Sequence, residues 1–168
     1  MATVTLKNDL ELHTNGELPE VGSVAPDFKL TKGDLSSARL SDYANKKVIL
    51  NLVPSLDTPT CAASARRFNE EFENRSDAYV LVVSADLPFA QGRFCSIEGL
   101  ENVTPLSMMK DKQFAQDYGV LLIDGPLAGL TARSIVIIDE AGTVMYTQLV
   151  PETVDEPDYE AALAALAS

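Results

Sequence analysis

Val48-Ile49-Leu50-Asn51-Leu52-Val53-Pro54-Ser55-Leu56-Asp57-Thr58-Pro59-Thr60-Cys61 carries the chain from an apolar run into a helix and leaves a thiol in the first helical turn. The run 48–53 is short and rich in β-branched residues, which suits a buried strand, and Pro54 ends it. Thr58 followed by Pro59 has the form of a helix start. The hydroxyl can accept from an orphan N–H, and proline stands at the first helical position, where a missing donor costs little. Cys61 then falls at N3. Cys61, Ala65, Phe68 and Phe72 share one helical face, while Arg66, Glu70, Glu71 and Glu73 lie mostly away from it. The sulfur therefore points towards the body of the protein.

A thiol reacts as its thiolate, whose free pKa of about 8.5 falls at a helix N-terminus or beside a cation. That position makes Cys61 a candidate nucleophile. Most free cysteines are small buried hydrophobes, and the helix start is what favours the reactive reading here.

Outward from this stretch, Tyr79-Val80-Leu81-Val82-Val83-Ser84 is a second continuous apolar run, and the two runs enclose the helix. This is the pattern of a βαβ unit and a parallel sheet. Ser84-Ala85-Asp86-Leu87-Pro88 repeats the strand-to-helix entry, and residues 89–97 are predicted helical with Cys95 among them. Both cysteines thus follow the carboxyl ends of neighbouring strands, the edge where open α/β sheets place their sites.

Towards the N-terminus, residues 4–6 and 10–12 predict a small hairpin that covers an edge, and residues 28–30 and 38–40 predict two short strands. A brief helix is expected from Ser41, a weak strand at 104–107, and a helix over 111–118 stopped by Gly119. Residues 134–139 and 144–149 predict an antiparallel hairpin, and the alanine-rich 157–166 a last helix. The expected layout is α/β and thioredoxin-like. Its central mixed sheet is parallel in its first half and antiparallel in its second, with helices on both faces and an N-terminal β-hairpin.

With 168 residues, one domain over 1–168 is expected. Hydrophobic residues make up 46% and charged residues 23%, the balance of a globular chain. Thirteen Lys and Arg against 25 Asp and Glu give a formal charge of −12, which argues against a nucleic-acid surface. No apolar stretch reaches the roughly 18 residues that a membrane span requires, and the first residues lack a secretory pattern. A cytoplasmic location follows as the expectation. Two cysteines and one histidine, His13, are a poor start for a zinc site, and neither metal nor cofactor is expected. His13, in a polar alternating segment, is given no role. The cysteines lie 34 positions apart without a Cys-x-x-Cys motif, so a permanent staple is not expected in a reducing cytosol. A transient bond could close only if the two Cα atoms came within about 7 Å.

The residues resemble a known family, the bacterial thiol peroxidases, which are atypical two-cysteine peroxiredoxins. Pro54-x-x-x-Thr58-x-x-Cys61 is similar to the peroxiredoxin active-site pattern. Ser84-Ala85-Asp86-Leu87-Pro88-Phe89-Ala90-Gln91 with Arg93-Phe94-Cys95, and Asp124-Gly125-Pro126-Leu127 with Ala132-Arg133, resemble further thiol-peroxidase segments. Pro157-Asp158-Tyr159-Glu160-Ala161-Ala162-Leu163 fits as well, so the likeness covers nearly the whole chain.

The resemblance implies that Cys61 is the peroxidatic cysteine, which attacks the O–O bond as thiolate and becomes a sulfenic acid. It implies that Thr58 hydrogen-bonds the sulfur and the peroxide, that Pro54 walls the pocket, and that Arg133 holds the thiolate and polarises the peroxide. Cys95 would resolve the sulfenic acid into an intrachain Cys61–Cys95 disulfide reduced by thioredoxin, after one helical turn unwinds. A homodimer in the bacterial cytoplasm and a preference for alkyl hydroperoxides over hydrogen peroxide are implied too. An apolar pocket near Phe89, Met109 and Leu130 would suit an alkyl chain, but core packing is the commoner job for such side chains. From the residues alone, Thr58 could be only a cap, Arg133 a surface arginine and Cys95 structural. A redox sensor or binding protein of the same fold, whose disulfide signals rather than turns over, is the competing reading.

Overall fold

The computed structural model describes residues 1–168. Inside its seven-stranded sheet lies β5, Lys47–Leu52, in which every residue but Lys47 is buried. A strand covered on both faces needs apolar side chains on both, and the run after Lys47, broken only by Asn51, supplies them. Pro54 and the turn behind it lead into α1, Pro59–Glu71, and the chain returns through β6, Ala78–Ser84, parallel to β5. A second helix, α2, Pro88–Glu98, then leads to β7, Thr104–Ser107, parallel to β6. The predicted βαβ core is therefore present, extended by one further βα turn.

Antiparallel strands flank this parallel trio on both sides. β8, Ser134–Ile138, lies beside β5 and β9, Val144–Leu149, beyond it. On the far side, β3, Lys29–Thr31, meets β7, and β4, Ser37–Arg39, forms the edge. The sheet order is β4-β3-β7-β6-β5-β8-β9. The expected division into a parallel first half and an antiparallel second half is corrected by β3 and β4. They precede β5 in sequence but run antiparallel, because the first of them pairs with β7, about 75 residues onward.

β1, Thr3–Leu6, and β2, Leu10–His13, form the predicted hairpin as a separate two-stranded sheet. It does not pair with an edge strand. Thr5 instead bridges to Glu152, just past β9, and Thr14 to Leu122 in the loop before β8. A helix predicted over 111–118 shortens to α3, Gln113–Asp117. Gly119 ends that segment with φ +69°, and a Cβ there would stand 2.0 Å from the Glu17 carbonyl oxygen.

Two apolar layers sandwich the sheet. Residues of β5, β6 and β8 that face one side pack with α1 and α4, Tyr159–Leu166, where Phe68 and Tyr159 meet edge to face at 5.6 Å. Arg67 lies over the Tyr159 ring at 4.9 Å and reaches both Glu71 and Glu160, so the two helices are joined by packing and by charge. The other side packs with α3 and the hairpin through Phe114, Tyr118 and Leu12. No helix is long and apolar enough to cross a membrane.

Candidate active site

Thr58 caps α1: its hydroxyl accepts from the Cys61 N–H at 3.3 Å and donates to the Ser55 carbonyl at 3.1 Å. Pro59 occupies N1 and Cys61 N3, as the sequence predicts. The Cys61 side chain is fully buried among Ile49, Val53, Ala65 and Phe68. Buried polar groups continue the support from beneath. Ser64 donates to the Cys61 carbonyl at 2.9 Å, and Asn51 of β5 donates to Ser64 at 3.1 Å. The Asn51 Oδ1 atom is buried without a partner.

Arg133 stands immediately before β8, the strand next to β5, and is 3% exposed. Its Nη1 donates to the Cys61 sulfur at 3.3 Å, while Nε and Nη2 donate to the Thr153 carbonyl at 3.1 and 2.9 Å. Two bonds to one carbonyl fix the plane of the guanidinium, and the third is left for sulfur. The guanidinium cation is thus in direct contact with the sulfur at the head of α1. Pro54 is buried and follows Val53, whose carbonyl accepts from the Thr131 hydroxyl at 3.0 Å.

Cys95 lies in the third turn of α2, half-buried, and packs against the apolar cluster that contains Cys61. Both cysteines carry free thiols. Burial pushes the Cys95 thiol up, so at neutral pH it is the less ionised form that waits there. The structure therefore brings Thr58, Cys61 and Arg133 together, leaves Pro54 buried just beyond the end of β5, and sets Cys95 on α2, unbonded.

Asp86, which motif spacing alone left without a role, joins the two helix entries. Its carboxylate accepts from the Ser55 hydroxyl and the Ser84 hydroxyl at 2.7 Å and from the Leu56 N–H at 2.8 Å. Buried Gln91 of α2 donates to Ser84 and to the Leu106 carbonyl. Its sequence signal was a serine and an aspartate two apart at the end of a strand, a pairing that commonly ties loops.

His13 is half-exposed and bonds Asp124 at 2.6 Å, far from the thiol in its contacts. Phe89 lines a groove of about 530 Å³ with Asp57, Arg93, Phe94 and Ile97. Met109 and Leu130 do not line that groove. α2 turns Phe89 outward, where it is 65% exposed.

A parallel βαβ core in a mixed sheet, with a buried thiol at the head of its first helix, defines a redoxin. The Redoxin family model matches residues 20–163. Within that class the chain belongs to the thiol peroxidase family. The thiol peroxidase of Mycobacterium tuberculosis is 55% identical over 166 residues, covering 99% of either chain. That of Corynebacterium glutamicum is 50% identical over 156 residues, 93% of this chain and 94% of the other. Among solved structures, a peroxiredoxin-like protein from Aquifex aeolicus is similar with a TM-score of 0.93 and 37% identity, covering 99% of this chain and 96% of that one.

Proposed function

We propose that this chain, acting as one thioredoxin-like domain over 1–168, is a thiol peroxidase that reduces hydrogen peroxide and alkyl hydroperoxides. The observation that carries the reading is the Arg133 Nη1 atom at 3.3 Å from a buried sulfur at N3 of α1. The Cys61 thiolate attacks the terminal peroxide oxygen. The O–O bond breaks, sulfur keeps the hydroxyl as a sulfenic acid, and the leaving oxygen takes a proton to become alcohol or water. Negative charge grows on that oxygen, so donors that meet it lower the barrier: the Arg133 guanidinium is one, and the Thr58 hydroxyl becomes another once it turns from the Ser55 carbonyl. Pro54, buried just beyond the end of β5, keeps water from the sulfenic acid.

Cys95 then attacks the sulfenic sulfur. An S–S bond forms, the S–O bond breaks, and hydroxide leaves as water with the Cys95 proton, which forestalls irreversible overoxidation. Because the thiols sit on different helices and Cys61 is fully buried, the first turn of α1 unwinds for this step. A dithiol of the thioredoxin type returns both cysteines to thiols, two electrons per peroxide.

A catalytic thiol that must be returned to its reduced form suits a reducing compartment, which supports a cytoplasmic role. Exposed Phe89 and Ile97 on α2 support a homodimer. A signalling disulfide is the weaker reading beside relatives that are themselves thiol peroxidases. The deciding experiment adds one equivalent of peroxide to reduced protein and measures mass without reductant. Loss of two hydrogens in the monomer is expected, with steady peroxide consumption once thioredoxin, its reductase and NADPH are present. Activity retained in Cys61→Ser, or an oxidised product lacking an intrachain disulfide, overturns the reading.

A further inference from the structure

One strip of backbone, residues 151–154, touches both supports of the sulfur. The Thr153 carbonyl takes two N–H groups of Arg133, and the Val154 carbonyl accepts from the Thr60 hydroxyl in the first turn of α1 at 2.8 Å. The strip is in turn laid against β1: the Thr5 N–H donates to the Pro151 carbonyl and the Thr153 N–H to the Thr5 carbonyl, each at 2.8 Å. Between them Glu152, 5% exposed, turns its carboxylate into the β1–β2 turn. Oε1 accepts from the Lys7 N–H at 2.8 Å and the Val154 N–H at 3.2 Å, and Oε2 from the Thr5 hydroxyl and the Asn8 N–H at 2.7 Å each. Lys7 and Asn8 have φ +56° and +60°, a left-handed turn whose successive N–H groups make an anion cradle.

All four partners are donors, so only a group with two accepting oxygens satisfies them. Burial alone would raise the Glu152 carboxyl, but the Thr5 hydroxyl and the Asn8, Val154 and Lys7 N–H groups outweigh it and hold it at about 2. None of this is needed to close the hairpin itself, which carries its own ladder from Thr3–His13 to Leu6–Leu10.

We infer that Glu152 is a positioning residue for the reacting sulfur: by anchoring residue 153 it sets where the Arg133 guanidinium stands against Cys61. The N-terminal hairpin, which lies before the residues matched by the Redoxin model, is by the same contacts a part of the active-site scaffold. The inference rests on the proposed role of Arg133. It extends that role to a carboxylate that touches neither sulfur nor peroxide.

The test is a double-mutant cycle on the reduced full chain, because groups acting through one another give non-additive losses. In Glu152→Gln the amide nitrogen faces donors it cannot accept from, and the strip shifts. A misplacement of about 1 Å can cost up to about 100-fold in rate, so a fall of about tenfold in the second-order rate with hydrogen peroxide is expected. Alkylation by iodoacetamide at neutral pH, which needs the thiolate but no peroxide, should slow in parallel, with the circular dichroism unchanged. In an Arg133→Gln background the same Glu152→Gln change should alter the peroxide rate by less than about twofold, since the group it positions is gone. A wild-type rate in Glu152→Gln alone, or an undiminished tenfold loss in the Arg133→Gln background, overturns the inference. If Glu152→Gln fails to fold, Thr5→Val removes one donor and leaves none stranded, and a fall of about two- to threefold that vanishes with Arg133→Gln is expected. A Thr5→Val fall that persists in that background overturns the inference too. The underlying reading fails differently: Arg133→Gln alone would then keep the wild-type rate, and both proposals would fall together.

Discussion

Replacing Thr58 in turn by alanine, asparagine and serine separates a structural duty of one hydroxyl from a chemical one. As the cap of α1 it accepts from the Cys61 N–H, and losing such a cap costs about 1 kcal/mol, within a range of about 0.5–2. Unfolding entropy of about 2.1 cal/mol/K per residue gives roughly 0.35 kcal/mol/K for a chain of 168 residues, so Thr58→Ala should lower Tm by about 3 °C. Asparagine caps as well as threonine and should leave Tm within about 1.5 °C, half that shift. With Oδ1 used as the cap, its Nδ2–H groups stand further from the backbone than the threonine hydroxyl and cannot take that hydroxyl's place at the leaving oxygen, and losing one well-placed donor costs about 100- to 1000-fold. Peroxide consumption at saturating thioredoxin and scanning calorimetry on the reduced protein read the two effects apart. Thr58→Asn should melt like the wild type and turn over about 100-fold more slowly, while Thr58→Ser keeps both properties. A fully active Thr58→Asn would leave the hydroxyl a cap and nothing more, and an unchanged Tm in Thr58→Ala would deny even that.

Phe68→Ala empties a fully buried site between the sheet and Tyr159, and should cost about 3–5 kcal/mol, or roughly 8–14 °C, by thermal denaturation. Asp86→Ala strands the Leu56 N–H and two hydroxyls at the mouth of the site; a loss of about 1–3 kcal/mol is expected, with faster closure of the Cys61–Cys95 bond as the loop loosens. A Cys95→Ser protein should react once with peroxide at the normal rate and then stall with thioredoxin, its sulfenic acid trapped by a dimedone probe. Glu152, held at about 2 in the folded chain against an ordinary value of 4.5, adds stability that is complete above about pH 4.5 and lost as pH falls towards 2. Acid titrations of the wild type and Glu152→Gln should therefore converge across that window, and a constant gap between them would reject the assignment.

The first turn of α1 was legible because its signals are local: Thr58, Pro59 and Cys61 lie within four residues and each has one physical meaning at a helix start. Strands β5, β6 and β8 were legible for the same reason, since short, mostly apolar β-branched runs admit few alternatives, and β9 followed as the partner of β8 across the turn at Gly142. Sheet order was not. The pairing of Thr31 with Ser107 is decided by which edges remain open once β5, β6 and β7 have packed, and no short window records that. The helix predicted over 111–118 lost its first residues because Lys112 offers no capping side chain and Asp111 bonds the Gln113 N–H in a turn instead. Arg133 carried no local mark of burial; it entered only through the family likeness, and the Thr153 carbonyl that orients it lies 20 residues further along. Glu152 reads in sequence as a loop carboxylate, since its donors at Lys7 and Asn8 come from the opposite end of the chain.

That separation has a bearing on how the protein is made. Cys61 leaves the ribosome before Arg133 and Thr153 have been translated, and at about 5–20 residues per second the interval is roughly five to eighteen seconds. Through that time the nascent chain exposes an ordinary cysteine with no guanidinium beside it. On the role proposed for Arg133, reactivity is thereby deferred until the last third of the polypeptide has been added and β8 has docked, and a half-finished chain would meet peroxide with the sluggishness of any free thiol.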